Sequence, residues 1–252
     1  MNILLTNDDG FDAPGIRVLA KELQARGHSI IIVAPLTQQS ATSHSITLFK
    51  PIKIHKIEEK VYAVGGTPTD CMIMAEQKVP IGQIDLVISG INCGQNMGED
   101  ILYSGTVAAA LEAMFLGFKA IAISSAAYSE VKYHTAAKAL CTMLDNGILN
   151  LLEDNEIFNI NVPNIEPEAV QGIKITRMGH RRYENFVREE IEEDGSIAYY
   201  VGGDLPIWEV AEDTDFSAVD GHYISITPIR PDFTNKPSFD KLQTWSTQRH
   251  EI

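Results

Sequence analysis

Short unbroken apolar runs alternate with helical stripes through most of the chain. Ile3 to Leu5 is the first run. Pro14 opens a stretch in which Ile16, Leu19, Ala20 and Leu23 share one face at helical spacing, and Gly27 ends it. Ser29 to Ala34 (SIIIVA) is apolar throughout, the mark of a strand buried on both faces of a parallel sheet. Strand, helix and strand form a βαβ unit with an expected right-handed crossover. Ile46 to Val64 predicts three short strands, ITLF, PIKIHKI and KVYAV, with a turn at Glu58-Glu59. Thr67-Pro68-Thr69-Asp70 opens a helix. Asp85 to Ser89 and Ala120 to Ser124 are further buried strands. Between them, Val107 to Leu116 is a helix capped by Ser104 or Thr106 and stopped at Gly117. A helix over His134 to Leu144 and a strand ending at Pro163 continue the alternation. The expected class is α/β, a Rossmann-like, mostly parallel sheet flanked by helices.

The last third reads differently. Lys174 to Arg177 and Tyr223 to Ile229 are strand-like, and Thr214 to Asp220 is a short capped segment. Arg181 to Val201 is polar, with a turn at Glu192-Glu193-Asp194-Gly195, and predicts a projecting β-hairpin. Such a hairpin cannot bury its own face and packs on something else, often another subunit. Ser238 to Thr247 predicts a short helix around Phe239, Leu242 and Trp245. The expected organisation is a catalytic region over 1–165 and a hairpin and oligomerisation region over 166–252, packed on the first as one overall domain.

Composition narrows the class. Of 252 residues, 44% are hydrophobic and 21% charged, an ordinary globular balance. No apolar run is long enough to span a membrane, and the N-terminus has no signal-peptide pattern. Three widely spaced cysteines without a CxxC pair point to a reducing cytoplasm and away from thiolate zinc. A net charge of −14 disfavours long nucleic acid. A small phosphate ester then needs local positive charge from a metal or a helix N-terminus.

Candidate chemistry lies at the ends of the runs. Asp8 and Asp9 follow the first strand. Adjacent anions disfavour joint ionisation, and a divalent cation offsets their repulsion most directly. A solvated turn with two acids is the plain alternative. Ser40 sits in a hydroxyl-rich loop after the second strand, and Asn92 and Asn96 in a glycine-rich loop after Asp85 to Ser89. In open α/β sheets ligands gather at these carboxyl ends. Ser104, Gly105 and Thr106 open a helix whose first amides and hydroxyls suit a phosphate. Together the four segments offer hard oxygen ligands for Mg²⁺ or Mn²⁺ beside an anion seat, which fits metal-assisted phosphate ester hydrolysis.

These segments, ILLTNDDGFDAPGI, QQSATSHSITL, GGTPTDC, DLVISGINCGQNMGEDILYSGTVAAALE, NINVP and TDFSAVDGHYISITPI, resemble the SurE family, the survival-protein 5′/3′-nucleotidases. The resemblance runs from Met1 to about Arg230. It implies one divalent ion per subunit held by Asp8, Asp9, Ser40 and Asn92. The phosphate seat is expected at Asn96, Ser104, Gly105 and Thr106. Asp8 or Asp9 is the candidate general base. The implied activity is hydrolysis of nucleoside 5′-monophosphates, and of 3′-monophosphates, in a homodimer or homotetramer with exchanged C-terminal segments and hairpins. Two departures stand out. Ala41 replaces a usual glycine, which strains the loop if that position needs a positive φ. His44 replaces a usual asparagine. A receiver-like regulatory domain also places an acidic pair after its first strand. It needs an aspartate and a lysine where this chain has Asn92 and Ser124-Ser125. A non-catalytic nucleotide-binding protein is the other alternative.

Overall fold

The computed structural model describes residues 1–182, 187–192, 194–201, 207–208 and 211–247. Along the chain come β1 (Asn2–Thr6), α1 (Pro14–Ala25), β2 (Ser29–Pro35), β3 (Ile54–Glu58), β4 (Val61–Val64), α2 (Pro68–Lys78) and β5 (Leu86–Cys93). After these come α3 (Gly105–Phe115), β6 (Ala120–Ala126), α4 (Tyr133–Asp145), β7 (Ile157–Pro163) and β8 (Ile173–Ile175). The last elements are β9 (Arg181–Arg182), β10 (Val187–Ile191), β11 (Ile197–Val201), β12 (Ile207–Trp208), α5 (Asp215–Asp220), β13 (Ile224–Ile229) and α6 (Lys236–Ser246).

Nine strands form one sheet in the order β3-β4-β2-β1-β5-β6-β7-β13-β8. The six from β4 to β7 run parallel; β3 and β13 join antiparallel to their neighbours β4 and β7. β8 and β13, both after residue 165, extend this same sheet. The chain leaves β1 toward β2 on one side and returns to β5 on the other, so the topological switch lies at β1. Crevices for ligands open at such switches, outside the carboxyl ends of the strands.

The pleat explains why the strand runs are apolar throughout. Ile3 and Leu5 point into one core with Leu19 and Leu23 of α1 and Leu140 and Leu144 of α4. Leu4 points the opposite way, with Met72 and Ala75 of α2 and Val107 and Ala110 of α3. Each fully buried Leu or Ile contributes about 1.5–3 kcal/mol, so helices on both faces hold the sheet and its carboxyl edge rigid.

One predicted strand is absent. Ile46 to Phe49 forms no ladder. Asp70, in the first turn of α2, binds the Thr47 amide at 2.9 Å and its hydroxyl at 2.6 Å, so this backbone is held by a side chain instead of a strand. The hairpin forms as β10 paired with β11, Val187 opposite Val201 and Ile191 opposite Ile197. Glu193 of its turn lies outside the described residues, as do residues 183–186.

Candidate active site

Each later loop is tied to the segment after β1. Asn7 shapes that segment: its side chain donates to the Gly10 carbonyl (2.8 Å) and accepts from the Gly10 amide (3.1 Å). Gly10 takes φ +110°, open to glycine and strained for other residues. The Gln39 amide donates to the Asp8 carbonyl at 2.7 Å, which brings Ser40 alongside. The Cys93 amide donates to Asp9 Oδ2 at 3.3 Å, which brings the end of β5 and Asn92 to the same place. Asn92 is the penultimate residue of β5, because the strand continues past Ser89 after a register shift.

The fourth segment arrives through α3. The Thr106 hydroxyl donates to Asp8 Oδ1, and the Thr106 amide also supports that carboxylate. Gly105 makes the approach sterically feasible: a Cβ there would lie 2.8 Å from Asp8 Cβ and 3.0 Å from Pro68 Cγ. Ser104 is the N-cap, and its Oγ accepts from the Val107 amide at 3.1 Å. Its hydroxyl proton remains free to be donated. Thr106 is fully buried and faces Asp8, outside the lining of the cleft.

Six of the eight sequence-predicted residues, Asp8, Asp9, Ser40, Asn92, Asn96 and Ser104, line one cleft of about 410 Å³. Burial is the main cause that pushes the Asp8 carboxyl from 3.8 up to about 6; the Thr106 hydroxyl opposes this and the charge of Asp9 adds to it. Asp9 is raised too, by burial, against the Cys93 amide. Among the described residues no Lys, Arg or His pairs with either acid. A buried and a half-buried carboxylate without a basic partner are the arrangement a cation relieves.

The rest of the donor set has the matching chemistry. Among the described residues no group of three or more His, Cys, Asp and Glu could hold a metal. Any ion here would complete its ligands with neutral oxygens. Gln38 Nε2 donates to Ser40 Oγ at 3.0 Å, and Asn92 Nδ2 donates to the Gly94 carbonyl at 2.7 Å. The remaining acceptor of Asn92 is its amide oxygen. Two carboxylates, a hydroxyl and an amide oxygen fit a hard ion such as Mg²⁺ or Mn²⁺ better than zinc.

The loop strain anticipated at Ala41 is real: its φ is +56°, and Ser43 two residues on has +53°. His44 Nε2 lies 2.8 Å from Glu112 Oε2, and its ring stacks on Phe115 with centroids 5.8 Å apart. This histidine fastens the Ser40 loop to α3.

Sequence reasoning missed the supports of Asn96. The Asn159 and Asn161 amides both donate to the Asn96 carbonyl, at 2.8 and 2.9 Å, and Asn161 Oδ1 accepts its amide at 2.8 Å. The available signal was NINVP, a strand with two polar residues where an apolar run belongs. Asp215 was missed as well. Buried at the start of α5, it accepts from the Gly98 and Gly179 amides and fixes the far side of the same loop.

A family model described as Survival protein SurE matches residues 3–185. The chain belongs to the SurE family. It is 45% identical over 249 residues to a protein of Actinobacillus succinogenes named 5′-nucleotidase SurE, covering 98% of this chain and 100% of that one. A protein of the same name from Natranaerobius thermophilus is 40% identical over 265 residues, covering 97% and 98%. The crystal structure of the SurE protein from Aquifex aeolicus superposes with a TM-score of 0.84 at 35% identity, over 97% of this chain and 99% of that one. This SurE chain therefore shares its fold with its relatives over almost its whole length.

Proposed function

We propose that this SurE chain is a 5′-nucleotidase, a phosphoric monoester hydrolase acting on nucleoside 5′-monophosphates and, more broadly, 3′-monophosphates. The observation that carries this reading is the convergence on Asp8 and Asp9 of two loops and a helix N-terminus, in one cleft. The names of relatives 40–45% identical over nearly the full length support it.

In this reading Asp8, Asp9, Ser40 and Asn92 hold one Mg²⁺ or Mn²⁺ ion. When bound, such an ion supplies Lewis-acid polarisation of a phosphoryl oxygen and a water of lowered pKa. The protein's own part is placement. Thr106 fixes Asp8, Cys93 fixes Asp9, and the Ser104 hydroxyl and Gly105 amide stand at the positive end of α3 to meet phosphoryl oxygens. Asn96, held rigid by β7, supplies a further polar wall. Asp9, less buried than Asp8, is the better-placed acid to accept a proton from the attacking water. Phosphate release from AMP is expected with Mg²⁺ or Mn²⁺ and is abolished by EDTA. Undiminished turnover after full chelation would remove the metal from the reading.

The same proposal makes the working unit a homodimer or homotetramer of cytoplasmic chains. α6 buries no residue, and Phe239 and Leu242 on it are 53% and 62% exposed. The hairpin strands are likewise exposed. For the compartment, support comes from three free cysteines, two of them buried.

A further inference from the structure

Two aromatic residues line the cleft outside the proposed phosphate seat and ion ligands. Tyr103 and Tyr128 both line it, together with Asp8, Asp9 and Ser104. The two residues are 56% and 65% exposed, whereas Asp8, Asn96 and Ser104 in the same cleft are buried.

Both rings are anchored while remaining open. The Tyr103 amide donates to the Asp100 carbonyl at 3.0 Å and its carbonyl accepts from the Ser43 amide at 3.1 Å, so its backbone is fixed from two sides. Its ring is backed by the Arg181 guanidinium, 6.0 Å from the centroid, which is paired in turn with Asp100. Tyr128 rests on Gly94: a Cβ on that glycine would lie 2.7 Å from Tyr128 Cε1. Its carbonyl also faces Cys93 Sγ at 3.6 Å, which ties it to the strand end bearing Asn92. One ring is thus attached beside the Ser104 phosphate seat and the other beside the candidate ion ligands.

We propose that Tyr103 and Tyr128 form a stacking clamp for the base of a nucleoside monophosphate whose phosphate sits at Ser104 and Gly105. The clamp rests on the nucleotidase reading and deepens it. Aromatic stacking accepts any base, because every base presents a π-face. A fixed ring also loses little conformational freedom on binding. The cleft volume of about 410 Å³ lies within the range of small-molecule sites. The clamp therefore selects nucleotides over base-free phosphate esters without selecting one base.

The test compares AMP with ribose 5-phosphate, which keeps the sugar and phosphate and lacks the base. Steady-state kinetics are measured for the wild type, Tyr103→Ala, Tyr128→Ala and the two Phe variants, all with saturating Mn²⁺. Each Ala variant is expected to lose about tenfold in kcat/KM on AMP, the scale of one stacked base, mostly through KM. Ribose 5-phosphate turnover should be unchanged, and the Phe variants should retain wild-type kinetics on both. An equal loss on both substrates, or no loss on AMP, overturns the clamp. So does a wild type that turns over the two esters equally, although the phosphatase reading then stands. A wild type inactive on both removes the nucleotidase reading and the clamp with it.

Discussion

Asp8 carries the conflict between stability and function in this protein. Its carboxyl, raised to about 6 by burial first and by Asp9 in addition, binds a proton over a range where the unfolded chain, near 3.8, has lost it. Between those values the native state holds more protons, so metal-free stability falls as pH rises through the window. About two pH units correspond to about 3 kcal/mol at neutral pH. Asp8→Asn keeps an acceptor for the Thr106 hydroxyl and removes the charge. In EDTA at pH 7.5 this variant is expected to resist urea better than the wild type, by up to about 3 kcal/mol. The advantage should vanish near pH 4, and activity should be lost. Equal stability of the two proteins at pH 7.5 would show that the Asp8 charge is already relieved without metal. Ala41 makes a second residue-scale case. Its φ of +56° costs an L-residue about 1–2 kcal/mol, partly regained because alanine restricts the unfolded chain. Ala41→Gly is expected to raise stability by about 0.5–1 kcal/mol in chemical denaturation, with kcat unchanged. The possible strain was visible in the sequence as a glycine replaced. The role of Thr106 was not, because only the fold shows that its hydroxyl reaches Asp8, 98 residues away.

At the scale of elements, the site depends on how closely α3 approaches β1. A Cβ at Gly105 would stand 2.8 Å from Asp8 Cβ and 3.1 Å from its Oδ2, contacts that neither strand nor helix relieves without moving. Overpacking of this kind costs about 1–3 kcal/mol. Gly105→Ala should therefore lower the melting temperature and also weaken Mn²⁺ binding in isothermal calorimetry, because the displaced atom is a candidate ligand. Unchanged metal affinity would detach α3 from control of the ion. The elements themselves were legible: the apolar runs became β1, β2, β5, β6 and β7, and the helical stripes became α1 and α4. Ile46 to Phe49 was not, since its strand-like alternation is overridden by one carboxylate on α2. The strand carrying Asn159 and Asn161 was legible, but its purpose was not. Two buried amides on β7 grip the backbone of Asn96 across the sheet edge, and sequence spacing holds no record of that pairing. Tyr128 escaped for the same reason: it follows a strand with no motif, and only the closeness of Gly94 reveals its place.

At the scale of the whole molecule, α6 is a helix that buries no side chain among the described residues of one chain. It has 11 residues, and helices that short are marginal in water without a packed face. Phe239 and Leu242 lie three apart and share a side of the helix, yet no residue of α6 is buried. A second copy of the chain is the proposed cover, with the exposed β10–β11 hairpin as a further contact. If two copies exchange this helix, each interface buries both Leu242 side chains, at about 1.5–3 kcal/mol apiece. Leu242→Asp removes both and places two charges in the contact. Its dimer dissociation constant should rise at least a hundredfold, since 1.4 kcal/mol is a factor of ten. Light scattering at micromolar concentration is expected to give a dimer or larger species for the wild type and a monomer for Leu242→Asp. The position is 62% exposed in the single chain, so circular dichroism of the variant should match the wild type and exclude misfolding as the cause. A wild type that stays monomeric, or a Leu242→Asp protein that assembles as before, would leave α6 without the proposed partner.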